Sequence, residues 1–102
     1  MTDVVFLAPA QAEFAEAVVY YNAQRDGLGE EFAEEVQRTI ERIREYPEAW
    51  SLLSRRTRRC PTNRFPYGII YQIRDNTLRI IAVMHLHRAP QTWRSRLPRR
   101  EQ

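Results

Sequence analysis

Apolar residues recur along this chain with two periods, and each period marks a kind of element. Val4 to Leu7 form a short apolar run closed by Ala8-Pro9, long enough for one strand and too short for a stable helix. A proline suits the first turn of a helix, and Ala10, Phe14, Ala17, Val18 and Tyr21 then repeat at the spacing of one helical face, which predicts a helix to about Arg25. The glycines in Asp26-Gly27-Leu28-Gly29 permit the left-handed angles of a tight helix-to-helix turn. A second helix starts there, with Leu28, Phe32, Val36, Ile40 and Ile43 as its stripe. Glu30, Glu31, Glu34 and Glu35 lead on its other faces and Arg38, Arg42 and Arg44 follow, the order the helix dipole favours. Pro47 ends this helix.

From position 67 the period drops to two. Tyr67, Ile69, Tyr71 and Ile73 alternate with Gly68, Ile70, Gln72 and Arg74, and a second run over 77–87 sets Leu78, Ile80, Ala82, Met84 and Leu86 against Arg79, Ile81, Val83, His85 and His87. Between them Asp75-Asn76 tolerates the left-handed angles of a two-residue hairpin turn. The stretch RRTRRCPTNR gives a further strand over 57–62, and its arginines and Pro61 place it at a sheet edge. An irregular segment with Pro90 and Trp93 follows. So short a helix-to-helix connection makes the two helices antiparallel neighbours whose stripes need a sheet to cover. The expected fold is α+β: a strand, a two-helix hairpin, then a three-stranded antiparallel segment completing one small sheet. Residues 1–97 make a single domain, and 98–102 read as a short C-terminal tail.

A length of 102 residues, with 43% hydrophobic and 28% charged positions, suits one core and argues against disorder. No apolar stretch approaches the roughly 20 residues of a membrane span, and no basic-then-apolar export segment opens the chain. The single cysteine, Cys60, cannot pair internally, so the expected location is cytoplasmic and no membrane partner is expected.

Charge changes the picture further. All 16 basic residues are arginine and the formal net charge is +3. A GC-rich genome can produce that composition by itself, but the consequence is chemical either way: arginine grips carboxylates and phosphates with a planar fork and cannot act as a neutral amine base. The acids gather on the second helix, whereas from Arg55 onward twelve arginines meet only Asp75 and Glu101. Arg55, Arg56, Arg58, Arg59 and Arg64 are either a solvated loop guarding a sheet edge or a contact for phosphates and acidic side chains.

Other chemistry is sparse. There is no glycine-rich phosphate loop, no helical histidine pair and no cysteine pair, so neither a metal site nor a cofactor is expected. Cys60 reads as core filler sooner than nucleophile. His85 and His87, two apart on a strand, share a face with Arg79 and are followed by Arg88; a hydrogen-bonded or solvated role is the plainer reading, acid-base use the sharper one. Tyr20 and Tyr21 are adjacent on a helix and cannot both face the core, while Trp50 and Trp93 either cap a core or anchor a partner.

Taken together, YYNAQRDGLGEEFAEEVQRTIERIREYPEAW, RRCPTNRFPYGIIYQI and AVMHLHRAPQTWRSR resemble the RelE/ParE superfamily of bacterial toxins, closest to its ParE or plasmid-stabilisation branch, over roughly residues 4–97. The resemblance implies the toxin of a type II toxin-antitoxin module, neutralised by a ParD-like antitoxin that carries a ribbon-helix-helix DNA-binding domain and alone contacts operator DNA. ParE members inhibit DNA gyrase and RelE members cut mRNA on the ribosome. RelE-like sites use lysines, arginines and a C-terminal tyrosine. Here lysine is missing, Trp93 stands at the aromatic position, and Arg64 falls at a catalytic arginine. Gyrase inhibition is therefore favoured, with Arg58, Arg59, Arg64, Arg88, Trp93 and Arg94 as target contacts. The alternatives are a ribosome-dependent endoribonuclease built on Arg64, His85, His87 and Arg88, or a degenerate toxin that only binds its antitoxin. Tyr20 with Glu31, Glu34, Glu35 and Arg38 is the expected antitoxin-facing surface.

Overall fold

The computed structural model describes residues 3–87 and 92–102. Strand β1 (Asp3–Phe6) leads through Pro9, in the first turn, into helix α1 (Ala8–Gln24), and Gly27 at φ 86° turns the chain into α2 (Leu28–Glu45). The two helices touch because Gly29 has no side chain. A Cβ there would lie 2.4 Å from the Val18 carbonyl oxygen, closer than any real contact. The Asn22 side chain uses that approach to accept the Gly29 N–H at 2.7 Å. The stripe read from the sequence is the one α2 buries, with Phe32 and Ile43 fully enclosed and Val36 and Ile40 nearly so.

Among the described residues the sheet has five strands in the order β1-β5-β4-β3-β2, where β2 is Ser51–Leu52, β3 Arg58–Pro61, β4 Tyr67–Arg74 and β5 Thr77–His85. β1 pairs in parallel with β5 and the other pairs are antiparallel. The β4–β5 turn forms as expected, with Asp75 at φ 50° and Asn76 at φ 59°. β3 was expected at the edge, but the two-residue β2 covers it, folding back as Leu53 and Ser54 N–H groups donate to the Thr57 carbonyl. So short a strand is too small to leave a periodic signal.

One irregularity decides which way side chains point. Ile70 pairs with Ala82, but its neighbour Tyr71 pairs with Ile80, so Ile81 is an extra residue in β5. Before it, Leu78 and Ile80 face the helices; after it, Val83 does. Ile81 and Ala82 instead join Ile70, Trp93 and Leu97 in a second core on the other side of the sheet. The strict alternation expected over 77–87 therefore fails, and both faces are packed. The sheet face without helices is covered by a 3-10 helix, Thr92–Arg96, so the segment expected to be irregular is ordered there.

Residues 98–102, expected as a tail, dock on the sheet through a second 3-10 turn, Arg99–Glu101. Gln72 donates from its side-chain amide to the Thr57 hydroxyl and to the Glu101 carbonyl. The Glu101 carboxylate is buried and takes hydrogen bonds from Arg74 and, at 3.3 Å, from Arg79. Its partners sit 27 and 22 positions away, which is why no local pattern announced them.

The Arg74 hydrogen bond, reinforced by the charges of Arg74 and Arg79, holds the Glu101 carboxyl below the usual carboxylate range against the opposing effect of burial. A carboxyl depressed on folding adds stability that is complete above its unfolded pKa and is lost as pH falls through the folded one. Glu101→Gln should therefore lower the melting temperature at neutral pH, and the gap to wild type should close as pH falls below the usual carboxylate range. Thermal melts across pH check this, and a gap undiminished in acid contradicts it.

Candidate functional site

The arginines singled out from the sequence do not gather into one patch. Strand pleat sends Arg58 and Arg59 to opposite faces. Arg58 reaches the Trp50 carbonyl at 2.7 Å on the helix side, whereas the Arg59 stem lies over Gly68 on the other. Arg94 is on the Arg59 side, stacked 4.6 Å from the Trp93 ring centre and donating to the Leu53 and Gln102 carbonyls. Trp93 itself is 1% exposed, so its expected role as a target contact does not hold. Its indole fills the second core, and the stacked Arg94 takes its place at the surface. Arg88 lies outside the described residues.

Arg64 sits with φ 72° in the turn before β4. Its guanidinium meets Glu31 at 2.8 Å and stacks over Phe65. Hydrogen bonds from Arg64 and then Arg25 hold the Glu31 carboxyl below its ordinary range. The turn is fixed by a residue expected on the surface. Glu35 is 2% exposed and accepts the Asn63 N–H at 2.6 Å while pairing with Arg38 and Arg42. It is therefore no antitoxin contact but a buried clamp between α2 and the β3–β4 turn. Its neighbours Glu31, Glu34 and Arg38 do stay accessible.

The histidines also part from expectation. β5 ends at His85, and His87 lies in the turn beyond. The Ile81 bulge puts Arg79 on the Glu101 side, away from His85, which packs edge-on against Tyr67 at 5.4 Å. His85 Nδ1 accepts the His87 N–H at 3.2 Å, so in the neutral ring the proton is on Nε2. Cys60 is fully enclosed, and burial pushes its thiol up, the opposite of what a nucleophile requires. Among the described residues no group of three or more His, Cys, Asp or Glu is placed to hold a metal, and no helix is long and apolar enough to cross a membrane.

A groove of about 470 Å³ runs between α1 and the part of β5 that β1 does not reach, with Tyr20, Tyr21, Tyr67, Met84 and His85 in its walls. Burial and the neighbouring Tyr67 and Tyr20 raise the Tyr21 phenol. The open strand edge is sealed by a pair the sequence did not reveal. Arg96 binds Glu13 at 2.7 and 2.8 Å, Glu13 accepts the Val83 N–H, and Arg96 donates to the Ile81 carbonyl. The two residues are 83 positions apart, so no motif could have joined them.

This frame has a counterpart. A solved structure described as "Chromosomal ParDE TA system from P. aeruginosa" matches it with a TM-score of 0.63 at 13% identity, covering 85% of this chain and 98% of that one. The model of the family described as "ParE toxin of type II toxin-antitoxin system, parDE" matches residues 4–90. The chain belongs to the ParE toxin family. No curated protein matches it by sequence.

Removing the buried Glu35 carboxylate takes the acceptor from the Asn63 N–H and the partner from Arg38 and Arg42. Glu35→Ala should cost about 2–3 kcal/mol, whereas Glu34→Ala, at an exposed position, should stay within about 0.5 kcal/mol. Urea unfolding of the two variants measures both, and equal costs would contradict the assignment.

Proposed function

We propose that this protein is the toxin of a type II toxin-antitoxin module and acts by binding and inhibiting DNA gyrase. The observation that carries the reading is that the cations expected to work with His85 are held elsewhere, Arg64 by Glu31 and Arg79 by Glu101. Cleaving RNA needs a base, an acid and free cations around one phosphate. Lysine is missing from the sequence, Arg64 is engaged by Glu31, and Arg79 is separated from His85 by the bulge. Arg59 and Arg94, on the helix-free side, are the contacts this reading favours, with Arg58 on the opposite face of β3 held by the Trp50 carbonyl.

In a supercoiling assay with purified gyrase, the toxin should inhibit at modest molar excess. Arg59→Ala combined with Arg94→Ala should weaken inhibition about tenfold or more, as loss of interface arginines commonly does, while His85→Ala with His87→Ala should leave it intact. No inhibition at large excess would sink the gyrase reading, and codon-linked mRNA cuts during translation would install the nuclease in its place.

Neutralisation belongs to a ParD-like antitoxin with a ribbon-helix-helix domain. Tyr20 is 56% exposed beside the α1–β5 groove, and its neighbour Val19 is 69% exposed. Such a pair offers an apolar anchor to an amphipathic segment, with Glu31, Glu34 and Arg38 as charged rim. Calorimetry with the antitoxin from the adjacent reading frame should show Tyr20→Ala weakening binding by about 1–2 kcal/mol. Unchanged affinity would move the antitoxin to another face.

A further inference from the structure

The docked C-terminus creates a feature that neither toxin activity nor neutralisation uses. By seating Glu101 on the sheet, the chain places Arg99 and Arg100 with Arg55 and Arg56 of the β2–β3 hairpin around a cleft of about 130 Å³. None of these four guanidiniums has an ion pair or hydrogen bond among the described residues. The cleft's single carboxylate, Glu101, is already taken by Arg74 and Arg79. Four unneutralised cations drawn together destabilise a compact fold by self-repulsion, and here no internal contact offsets it.

A second observation marks the same place. Ser54 lines the cleft, and its hydroxyl is shut off from solvent with no hydrogen-bond partner. A buried polar group left unpaired is costly and calls for an acceptor or donor from outside the chain. An anionic oxygen brought between the guanidinium forks supplies one once the Ser54 side chain turns toward the cleft.

We propose that the cleft formed by Ser54, Arg55, Arg56, Arg99 and Arg100 binds the phosphodiester backbone of a nucleic acid. Among the described residues the walls contain no apolar residue, only Ser54, the four arginines, Glu101 and Gln102. A protein partner would need an aliphatic or aromatic anchor, and the cleft has nowhere to put one. Backbone binding needs only cations and hydrogen-bond donors, and it carries no sequence preference. This binding is read with no gyrase present, so it stands or falls apart from the inhibition reading.

The test is fluorescence anisotropy of the full chain with a labelled duplex DNA and a labelled single-stranded RNA at several salt concentrations. Wild type should bind at low salt. Arg55→Gln with Arg99→Gln should reduce the slope of log affinity against log salt by about two, and Ser54→Ala should weaken binding with the slope kept. Arg25→Gln with Arg44→Gln, an equal charge change elsewhere, should alter affinity less than twofold, with circular dichroism confirming that every variant is folded. Binding of either labelled strand with this pattern supports the proposal. Three outcomes overturn it: no binding by wild type at low salt, equal losses in the two charge pairs, or displacement of the nucleic acid by millimolar inorganic phosphate, which would make the cleft a free-phosphate site.

Discussion

The inserted Ile81 is the constraint on which the rest of the molecule depends. β4 and β5 run through the middle of the sheet, and both of their faces must be covered. Without the extra residue, period-two alternation would carry Arg79 and His85 to the same side. With it, Leu78, Ile80 and Val83 serve the helix face, while Ile81 and Ala82 serve the face closed by Trp93 and Leu97. The bulge thereby divides the chemistry as well as the core. Arg79 goes to Glu101 and organises the C-terminus, and His85 goes to Tyr67 and the α1–β5 groove.

Much of this frame was legible from local pattern. The α2 stripe, the Gly27 turn and the Asp75-Asn76 hairpin are each encoded within a few residues, and each forms as read. What stayed hidden depends on pairs distant in sequence. Glu35 looks like one more acid on a charged helix until the Asn63 N–H arrives from 28 residues away. Glu101 looks like part of a tail until Arg74 and Arg79 hold it. A bulge carries no periodic signal of its own and shifts every residue after it, so the histidine face was misread for the same reason.

Among the arginines, alike in composition, the structure sets two groups apart. Arg42, Arg64, Arg74, Arg79 and Arg96 are struts, each tied to a carboxylate. Arg55, Arg56, Arg99 and Arg100 are held together with their forks open. The planar guanidinium serves both uses because it stays charged when half-buried and bonds in a fixed fork, which lysine does not. An all-arginine complement of cations is thus part scaffold and part grip, and the cleft proposed for the nucleic-acid backbone draws on the grip.

The central claim is that the helix-free side, bearing Arg59 and Arg94, is where the toxin engages its target. Hydrogen–deuterium exchange on the toxin with and without gyrase and DNA tests it most directly. The account predicts added protection in β3 and in the Thr92–Arg96 turn, with α1 unchanged. Protection confined to α1 and the Tyr20 groove, or none at all, would contradict it.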